Sequence, residues 1–449
     1  MKKIKIKNTY DVNISGSPSD TVRVLSDQAF YGVSPSRLDY IKPKLLVKEG
    51  DVIECGTTLF FDKKNDKNIY VSPVSGTVKE IVYGERRVVD FIKIESDKAE
   101  KKKQIFEPLS LESIESLKSH EVTDRIQQGG LWSTLIAFPF ERVPAADQLP
   151  PSIYINLDND EPHLPQSHMV LDANKEAYLF GLAVLKQLCD KVYVGIAEKS
   201  QLKDPEVRQT VTHQLVGGYP ANNPGVFLYH NKTSESENSS WGIRAQGVIK
   251  IGQLFQTGQY PNQRLITLAG HVLDKPCYVQ VTEGTPIKNI ATEITNPSQL
   301  RVICGGLLTG IKASFDDFLS YNDDAIHIIP EGKEQELLHF FKPGFEKPTY
   351  SNAYLSTLRK DKEWDMTSAL NGGYRACISC GYCAKVCPNE AYPHMIMKNL
   401  YVNDIETSMK QGILDCVDCG ICTYVCPSKI ELSEIVKKGK DMIHKEINS

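Results

Sequence analysis

The sequence lacks the long apolar run that a membrane-spanning segment needs. A transmembrane helix takes about 20 consecutive apolar residues, whereas the longest candidate here, Ala177–Val184, is soon followed by Lys186. The first seven residues alternate lysine with isoleucine, which favours a β-strand over the apolar centre of a signal peptide. We therefore expect a chain that is soluble and cytoplasmic in its own right.

A strong charge of one sign is also absent. The formal net charge is −4 over 449 residues, which gives no support to nucleic-acid binding. Lysine-rich stretches at 2–7 and 98–103 are more typical of solvated faces or linkers than of contacts with an anionic membrane. The hydrophobic content of 41% is that of ordinary globular proteins, and the length exceeds one hydrophobic core, so several domains are expected.

The common motifs of hydrolases and of single-metal sites are missing as well. The ten histidines include no H-x3-H or H-E-x-x-H pair, and no Ser-His-Asp or Cys-His arrangement is visible by spacing. The glycine-rich stretch 305–310 is not followed by the Lys-Ser/Thr of a phosphate-binding loop, which favours a turn. The cysteines at positions 55, 189, 277 and 304 lie in strand or helix patterns and are expected to be inert buried thiols. No catalytic residue is predicted.

Cysteine itself is abundant towards the end of the sequence. Eight of the twelve cysteines form two copies of the pattern C-x2-C-x2-C-x3-C-P, which begin at Cys377 and Cys416. This pattern supplies the thiolate ligands of 4Fe-4S clusters in two-cluster ferredoxins. The proline after each fourth cysteine, Pro388 or Pro427, ends the ligand loop because it has no backbone N–H to donate. The pattern predicts two 4Fe-4S clusters and therefore electron transfer.

The same rule predicts the ligand sets, because the fourth cysteine of each run binds the other cluster. The predicted sets are Cys377, Cys380, Cys383 with Cys426, and Cys416, Cys419, Cys422 with Cys387. Two alternatives are weaker. Paired zinc sites would leave four of these cysteines unused, and disulfides need an oxidising compartment. His394 is expected to be an ordinary surface or core histidine more readily than a hydrogen-bond partner of a cluster.

Several further modules are indicated upstream of the cysteine runs. Residues 40–95 show short apolar alternation broken by glycine, similar to the barrel-sandwich fold of biotinyl and lipoyl carriers, but the hairpin at 62–68 lacks the lysine motif that such carriers modify. Strand patterns at 153–157 and 192–196 flank a helical pattern at 173–189, which predicts a parallel α/β core. Another strand is predicted at 226–229.

The second half of the chain has its own patterns. From residue 264, two strand patterns precede a helix that starts at Thr285-Pro286 and runs through 290–294, which indicates a small β-grasp module. The segment 392–414 is long enough for one or two helices, and the tail at 432–447 has an amphipathic helical pattern.

The expected architecture is an α/β multidomain chain. It begins with a barrel-sandwich hybrid module at 1–105, lipoyl-like but unmodified, which is followed by an α/β core at 106–260. A β-grasp module is expected at 261–345, and an α-helical, dicluster ferredoxin-like domain with two 4Fe-4S sites at 346–449.

The order of these modules resembles two related families. They are NqrA, which belongs to the sodium-translocating NADH:quinone oxidoreductase, and RnfC, which belongs to the Rnf electron-transfer complex, and the resemblance runs nearly end to end. The motifs similar to those of NqrA are Val47–Asp51, Ser75–Val78, Gly84–Val88, Gly130–Trp132, Pro139–Phe140, Val143–Pro144, Gly252–Phe255, Gly305–Gly310 and Asn371–Arg375.

One stretch separates the two families. RnfC has a glycine-rich loop whose backbone amides cradle the phosphates of flavin and NADH. The corresponding stretch 129–140 keeps only two glycines and carries Trp132, Phe138 and Phe140, which would fill that space. The resemblance therefore implies NqrA, and neither FMN nor NADH is expected on this chain. The two C-terminal cysteine runs favour RnfC instead, since typical NqrA chains have lost most of these cysteines whereas RnfC chains keep both runs.

The resemblance implies a peripheral electron-transfer subunit of an ion-translocating NADH:quinone oxidoreductase, held on the inner face of the cell membrane by partner subunits. Those partners would be the NADH-oxidising flavoprotein and the membrane-embedded chains. A quinone contact follows from the resemblance alone, with no residue assigned. Two alternatives remain: an RnfC-type protein that binds FMN and NADH and exchanges electrons with ferredoxin, and a non-enzymatic docking module whose tail binds zinc.

Overall fold

The computed structural model describes residues 1–98, 101–294, 297–332, 341, 343–345, 354–359, 362–369 and 373–447. Asn371 and Gly372 of the last family-like motif, and the expected start of the C-terminal domain at 346, lie outside the described residues.

The strands and helices are numbered in chain order over the described residues. The strands are β1 Lys2–Lys5, β2 Ser19–Val24, β3 Phe30–Val33, β4 Pro43–Leu45, β5 Val52–Ile53, β6 Thr58–Asp62, β7 Asn65–Val71, β8 Gly76–Tyr83, β9 Val89–Ser96, β10 Ile136–Ala137, β11 Ile153–Asn156, β12 Val192–Ala197, β13 His213–Val216, β14 Trp241–Arg244, β15 Gln263–Ala269, β16 Cys277–Thr282, β17 Leu300–Cys304, β18 Ile311–Ala313 and β19 Ala325–Pro330. The helices are α1 Leu111–Glu115, α2 Ser119–Gln128, α3 Ser167–Leu171, α4 Lys175–Lys186, α5 Pro205–Gln209, α6 Pro224–Asn231, α7 Ala245–Thr257, α8 Ile287–Ile290, α9 Tyr382–Lys385, α10 Pro393–Tyr401, α11 Ile405–Lys410, α12 Ile421–Tyr424 and α13 Leu432–Ile447.

Two small sheets form the barrel-sandwich module. Their strand orders are β3-β9-β8-β5 and β4-β6-β7, and a buried core that includes Leu59, Phe60 and Ile92 lies among them. The hairpin predicted at 62–68 is the turn between β6 and β7. Gly76 begins β8 with a φ of +154°, and a Cβ there would overlap the carbonyl of Glu95 on the paired strand. Only glycine therefore fits this close approach of two strands.

A six-stranded sheet of order β1-β13-β12-β11-β14-β10 forms the α/β core, and its central pairs are parallel. The strands predicted at 153–157 and 192–196 and the helix at 173–189 are confirmed as β11, β12 and α4. The alternating N-terminal segment is confirmed as a strand, and it pairs with β13 of this sheet, far from it in sequence. On one face α4 and α7 cross in backbone contact, because a Cβ at Gly181 or Gly252 would overlap a carbonyl of the other helix.

The strand predicted at 226–229 is wrong, because these residues lie in α6. Asn223 caps that helix by accepting a hydrogen bond from the N–H of Gly225, and Pro224 occupies its first turn. Val226 and Phe227 are fully buried. A helix buried on most sides has no polar face, so its sequence reads as the continuous apolar run of a buried strand.

The β-grasp module is a mixed sheet of order β18-β17-β19-β15-β16-β2. Strands β15 and β16 form an antiparallel hairpin, and the last strand, β19, lies parallel to β15 in the centre of the sheet. The helix predicted from Thr285-Pro286 through 290–294 is shorter in the structure. The observed helix is the single turn α8, with Pro286 as its N-cap, and the backbone leaves the helical region at Ala291. The edge strand β2 comes from the N-terminal segment.

The C-terminal domain is helical. The tail predicted at 432–447 is confirmed as α13, and α10 and α11 occupy the segment between the two cysteine runs. Ion pairs attach α13 to the rest of the chain, since Asp441 pairs with Arg142 and Lys437 pairs with Asp39 at 2.7 Å. Among the described residues, no helix combines the length and the apolar character that crossing a lipid bilayer requires.

Candidate metal centres in the C-terminal domain

The eight cysteines of the two runs line two cavities. Cys416, Cys419 and Cys422 line the first cavity together with Cys387 of the earlier run. We call this cavity the inner site. Cys377, Cys380 and Cys383 line the second cavity together with Cys426 of the later run, and we call it the outer site. The structure thus brings together the two quartets that the spacing rule groups.

The two runs are a structural repeat with an interval of 39 residues, from Cys377 to Cys416. Left-handed backbone conformations recur at equivalent positions, namely Ser379 and Asp418, Gly381 and Gly420, and Glu390 and Lys429. Gly381 and Gly420 are the N-caps of α9 and α12, with φ of +74° and +75°. Glycine adopts this conformation without the steric cost that other residues incur. The short helices and their cysteine loops therefore have the same geometry in both halves.

A reciprocal pair of hydrogen bonds holds the two halves across each other. The amide Nδ2 of Asn389 donates to the carbonyl of Asp415 at 2.8 Å, and Oγ of Ser428 donates to the carbonyl of Ala376 at 2.9 Å. Each donor lies two residues after the fourth cysteine of its run, and each acceptor immediately precedes the first cysteine of the other run. This clasp explains why each fourth cysteine lines the cavity of the opposite run.

The quartets are spread too widely for a single metal ion. Four thiolates around one zinc would lie roughly 3.8 Å from one another, given a Zn–S bond of about 2.3 Å. Within the described residues, no three histidine, cysteine, aspartate or glutamate side chains converge closely enough to hold one ion. A 4Fe-4S cubane instead binds each thiolate through a different iron, so four soft sulfur donors around a wider cavity fit it.

Burial makes the thiols deepest in the two sites poor acids by themselves. It raises the pKa of Cys422 to about 12 and that of Cys383 to about 11, and it raises the pKa of Cys416 and Cys419 well above the usual range. Thiolates at such positions form when a bound metal supplies the compensating positive charge. The donor set therefore suits a tightly held metal group and does not suit free reactive thiols.

The inner site lies against the body of the protein. Tyr219 donates from its hydroxyl to the carbonyl of Cys419 at 2.6 Å. Lys440 on α13 donates to the carbonyl of Cys416 at 2.8 Å, and its ammonium pairs with Asp418 at 3.1 Å and Glu141 at 3.4 Å. Burial disfavours this ammonium, but Glu141 and Asp418 outweigh burial and raise the pKa of Lys440. A charged lysine thus supports the first ligand loop of the inner site.

The outer site is more open, and a histidine lies beside it. Cys380 is exposed, whereas Cys419, its equivalent in the inner site, is buried. Nδ1 of His394 lies 3.5 Å from Sγ of Cys383. The expectation that His394 is an ordinary surface or core histidine is therefore wrong, because α10 directs its ring at a cysteine of the outer site.

The aromatic residues of the stretch 129–140 pack as fillers of the interior. Trp132 is fully buried, donates from Nε1 to the carbonyl of Pro144 at 2.9 Å, and packs edge-to-face on Trp241. The ring of Phe138 fills the space that side chains on Gly225 and Gly242 would otherwise occupy. Phe140 packs on His444 of α13. Phe138, which shares a core with Val417, and Phe140, through His444, join the α/β core to the C-terminal domain.

The four isolated cysteines behave as expected of structural thiols. Cys55, Cys277 and Cys304 are buried, Cys189 is half-buried, and burial raises the pKa of all four. The residues that sequence reasoning missed are Tyr219, Glu141 and Lys440. They carry no motif, and Tyr219 and Glu141 lie about 200 residues or more before the cysteine run that they or their partners contact.

Comparison with known proteins covers most of the chain. Three family models match, described as the NqrA N-terminal barrel-sandwich hybrid domain over residues 4–97, the NqrA second alpha/beta domain over 117–260, and a 4Fe-4S dicluster domain over 376–431. A 4Fe-4S dicluster domain is therefore present at the C-terminal end, and the expected barrel-sandwich, α/β and dicluster modules are confirmed.

Individual relatives share one name, the A-type subunit of a Na(+)-translocating NADH-quinone reductase. The chain is 32% identical over 411 residues to the protein of this name from Marinomonas sp. (strain MWYL1), with 90% of this chain and 91% of that protein covered. Its counterpart from Pasteurella multocida (strain Pm70) is 32% identical over 410 residues, with 90% and 91% covered. A solved NAD+-reducing [NiFe]-hydrogenase in the H2-reduced state covers 49% of this chain and 50% of its own at 11% identity, with a TM-score of 0.33, which is too low to bear on the fold.

Proposed function

Because the chain belongs to the NqrA family of the sodium-translocating NADH:quinone reductase, we propose that it is a peripheral electron-transfer subunit of such a complex. In this proposal two 4Fe-4S clusters, one in the inner and one in the outer site, relay electrons between a partner protein and an acceptor. The chain works as one subunit of the reductase and is not catalytic alone.

The observation that carries the proposal is the pair of crossed cysteine quartets. Cys416, Cys419 and Cys422 with Cys387 would hold one cluster, and Cys377, Cys380 and Cys383 with Cys426 would hold the other. Each bound cluster supplies a site that takes up and releases one electron. The chain orients the thiols through the two glycine-capped turns and the reciprocal clasp of Asn389 and Ser428.

The two sites are close enough for direct exchange of electrons. Cys383 lines the outer site and Cys387 lines the inner site. They are four residues apart, on α9 and the turn that continues it, where the N–H of Cys387 donates to the carbonyl of Ala384. One helical turn spans about 5–6 Å. Ligands of both clusters on a single turn support a relay through the domain.

The remaining parts of the function come from the family. NADH oxidation and ion transport are assigned to partner chains, a flavoprotein and membrane-embedded subunits, which would hold this chain on the inner face of the cell membrane. Contact with quinone is part of the proposal on family grounds, with no residue assigned.

The two alternatives have less support. For an RnfC-type protein that binds FMN and NADH, the stretch 129–140 keeps only two glycines, and its Trp132 and Phe138 fill the interior. For a zinc-binding docking module, the quartets are wider than one ion allows. We retain the NqrA-type proposal alone.

The test is metal analysis of the full chain, purified without oxygen. We expect about eight iron and eight acid-labile sulfide per chain, from two cubanes, and an EPR spectrum of two interacting reduced clusters. Cys416→Ser should remove the inner signal and simplify the outer one, while the control Cys189→Ser, outside both sites, should leave both. Iron below one cluster per chain, stoichiometric zinc, or stoichiometric FMN would each overturn the proposal.

A further inference from the structure

The two halves of the cysteine repeat share a backbone but differ in what covers them. Val417 in the inner half is 7% exposed, whereas its equivalent Ile378 in the outer half is 67% exposed. Ile413 is fully buried, whereas its equivalent Tyr374 is 64% exposed. Equivalent apolar side chains are therefore covered in one half and bare in the other.

The cover of the inner half is protein. Val417 belongs to the core that includes Phe138, and it packs where Gly225 leaves space. A Cβ on Gly420 would lie 2.5 Å from the carbonyl of Leu308, a residue of the β-grasp module. Gly381, the equivalent glycine of the outer half, has no heavy atom within 4 Å of a Cβ position. The surface that the inner half uses to bind two domains of this chain is thus repeated on the outer half, where no other domain of the described chain covers it.

The bare surface also carries positive charge. Nζ of Lys398 lies 3.1 Å from Oγ of Ser379, in the loop between Cys377 and Cys380. Lys429 interacts electrostatically with both Cys426 and Arg375. Over the described part of the chain, none of these three cations forms an ion pair with an acidic side chain. We call the surface formed by Tyr374, Arg375, Ile378, Cys380, Lys398 and Lys429 the Cys380 face.

The cations of the Cys380 face are not required to neutralise the negative charge of four thiolate ligands. Beside the inner site, Lys440 pairs with the two carboxylates Glu141 and Asp418, and Lys232 pairs with Asp415, which lines the cavity. An identical ligand set is therefore accommodated there with no excess of positive charge. The unpaired cations of the outer half therefore indicate a binding partner that carries negative charge.

Resting on the function proposed above, we propose that the Cys380 face is the docking site of an electron-carrier protein with an acidic surface around its own redox group. An apolar centre with a charged rim is the usual composition of a specific protein interface. Complementary charge at the rim steers the encounter and sets the orientation. On docking, one electron leaves the reduced carrier and enters the outer site, so that the carrier is oxidised and the outer site reduced by one electron.

The test is the rate of electron delivery to the full chain, loaded with its clusters, from a reduced acidic flavodoxin in stopped flow. We compare wild type with Arg375→Glu/Lys398→Glu, and with a control of equal charge change on exposed lysines of other domains, Lys48→Glu/Lys203→Glu. We expect the face variant to be about tenfold slower than the control at low salt, and both to converge at high salt as the charges are screened. An oxidised basic c-type cytochrome, which takes one electron from the reduced outer site, should show the opposite preference.

The outcomes separate this inference from the proposed function. If wild type contains no clusters, the proposed function fails. If the clusters are present but the face variant and the control react equally with flavodoxin at low salt, the docking site is refuted. Refutation also follows if wild type sediments as a dimer that the face variant converts to a monomer, because a second copy would then occupy the face. Convergence of the variant with wild type at high salt shows that its clusters still accept electrons.

Discussion

Removal of the buried cation beside the inner site has a predictable cost. The side chain of Lys440 is 4% exposed, and its ammonium lies 3.1 Å from Asp418 and 3.4 Å from Glu141. At an effective dielectric constant of about 20, each pair gains roughly 5 kcal/mol of Coulomb attraction, most of which is offset by the dehydration of the charges. Lys440→Met leaves two carboxylates without their partner, and such a change costs about 3–5 kcal/mol.

The measurement is native-state hydrogen exchange of the α13 amides, which reports the free energy of local opening. Whole-chain unfolding of a multidomain protein is not a two-state process and would mix the contributions of the domains. The matched control is Lys438→Met on the same helix. Lys438 is 72% exposed and pairs with Glu434 at 3.2 Å, and the loss of such a surface pair costs at most about 0.5 kcal/mol.

Two results would refute this reasoning. The first is an opening free energy of the Lys440→Met variant that stays within about 1 kcal/mol of wild type, since two partly buried carboxylates that lose their shared cation should destabilise the helix by more than that. The second is a failure of Lys440→Met/Glu141→Gln/Asp418→Asn to recover part of the loss. That triple variant removes the charges as a set, so the penalty for an unpaired charge should disappear.

Three further predictions concern the repeat and the β-grasp module. Gly420→Ala should lower the thermal stability of the C-terminal domain by about 1–3 kcal/mol more than Gly381→Ala, because both glycines have left-handed backbones but only a Cβ at Gly420 would press on a neighbouring carbonyl. Ser428→Ala removes one bond of the clasp; it should cost about 1 kcal/mol and speed the loss of visible absorption under a chelator, and an unchanged rate would contradict the role of the clasp. Burial lowers the pKa of His327 to about 3, so the unfolded chain binds more protons between about pH 6.5 and 3 and stability falls as the pH drops. Native-state hydrogen exchange of the β19 amides should show that the free energy of opening falls by about 2 kcal/mol from pH 7 to 5, a loss that His327→Gln reduces and the exposed control His120→Gln does not.

Local patterns predicted much of the fold. The alternation of residues 2–7, the strands at 153–157 and 192–196 and the helix at 432–447 are each visible in a short window, because one face of each element repeats with the period of its backbone. The prediction failed at 226–229, where α6 is buried on most sides and no polar face reveals the helical period. It also failed to place the first strand, whose partner β13 is about 210 residues away.

The spacing of the cysteines also predicted the quartets that line the two cavities. The short intervals place three cysteines of a run on one tight loop, and the repeat places the fourth at the cavity of the other run. The neighbours of those quartets were beyond prediction. Tyr219 and Glu141 come from loops of the α/β core, and no local pattern reports which side chain a distant loop will bring to a cysteine.

The sequence by itself determined that two equivalent cysteine loops exist and how their eight thiols divide between two sites, since that information lies in the intervals within a 50-residue window. Only the tertiary structure decided that the two sites are unlike. The α/β core and the β-grasp module pack on the inner half through Val417, Tyr219 and Leu308 and leave Ile378 and Cys380 of the outer half bare. The physical reason is that burial is a property of the packed chain as a whole, so two near-identical segments acquire different surroundings from the surfaces that meet them.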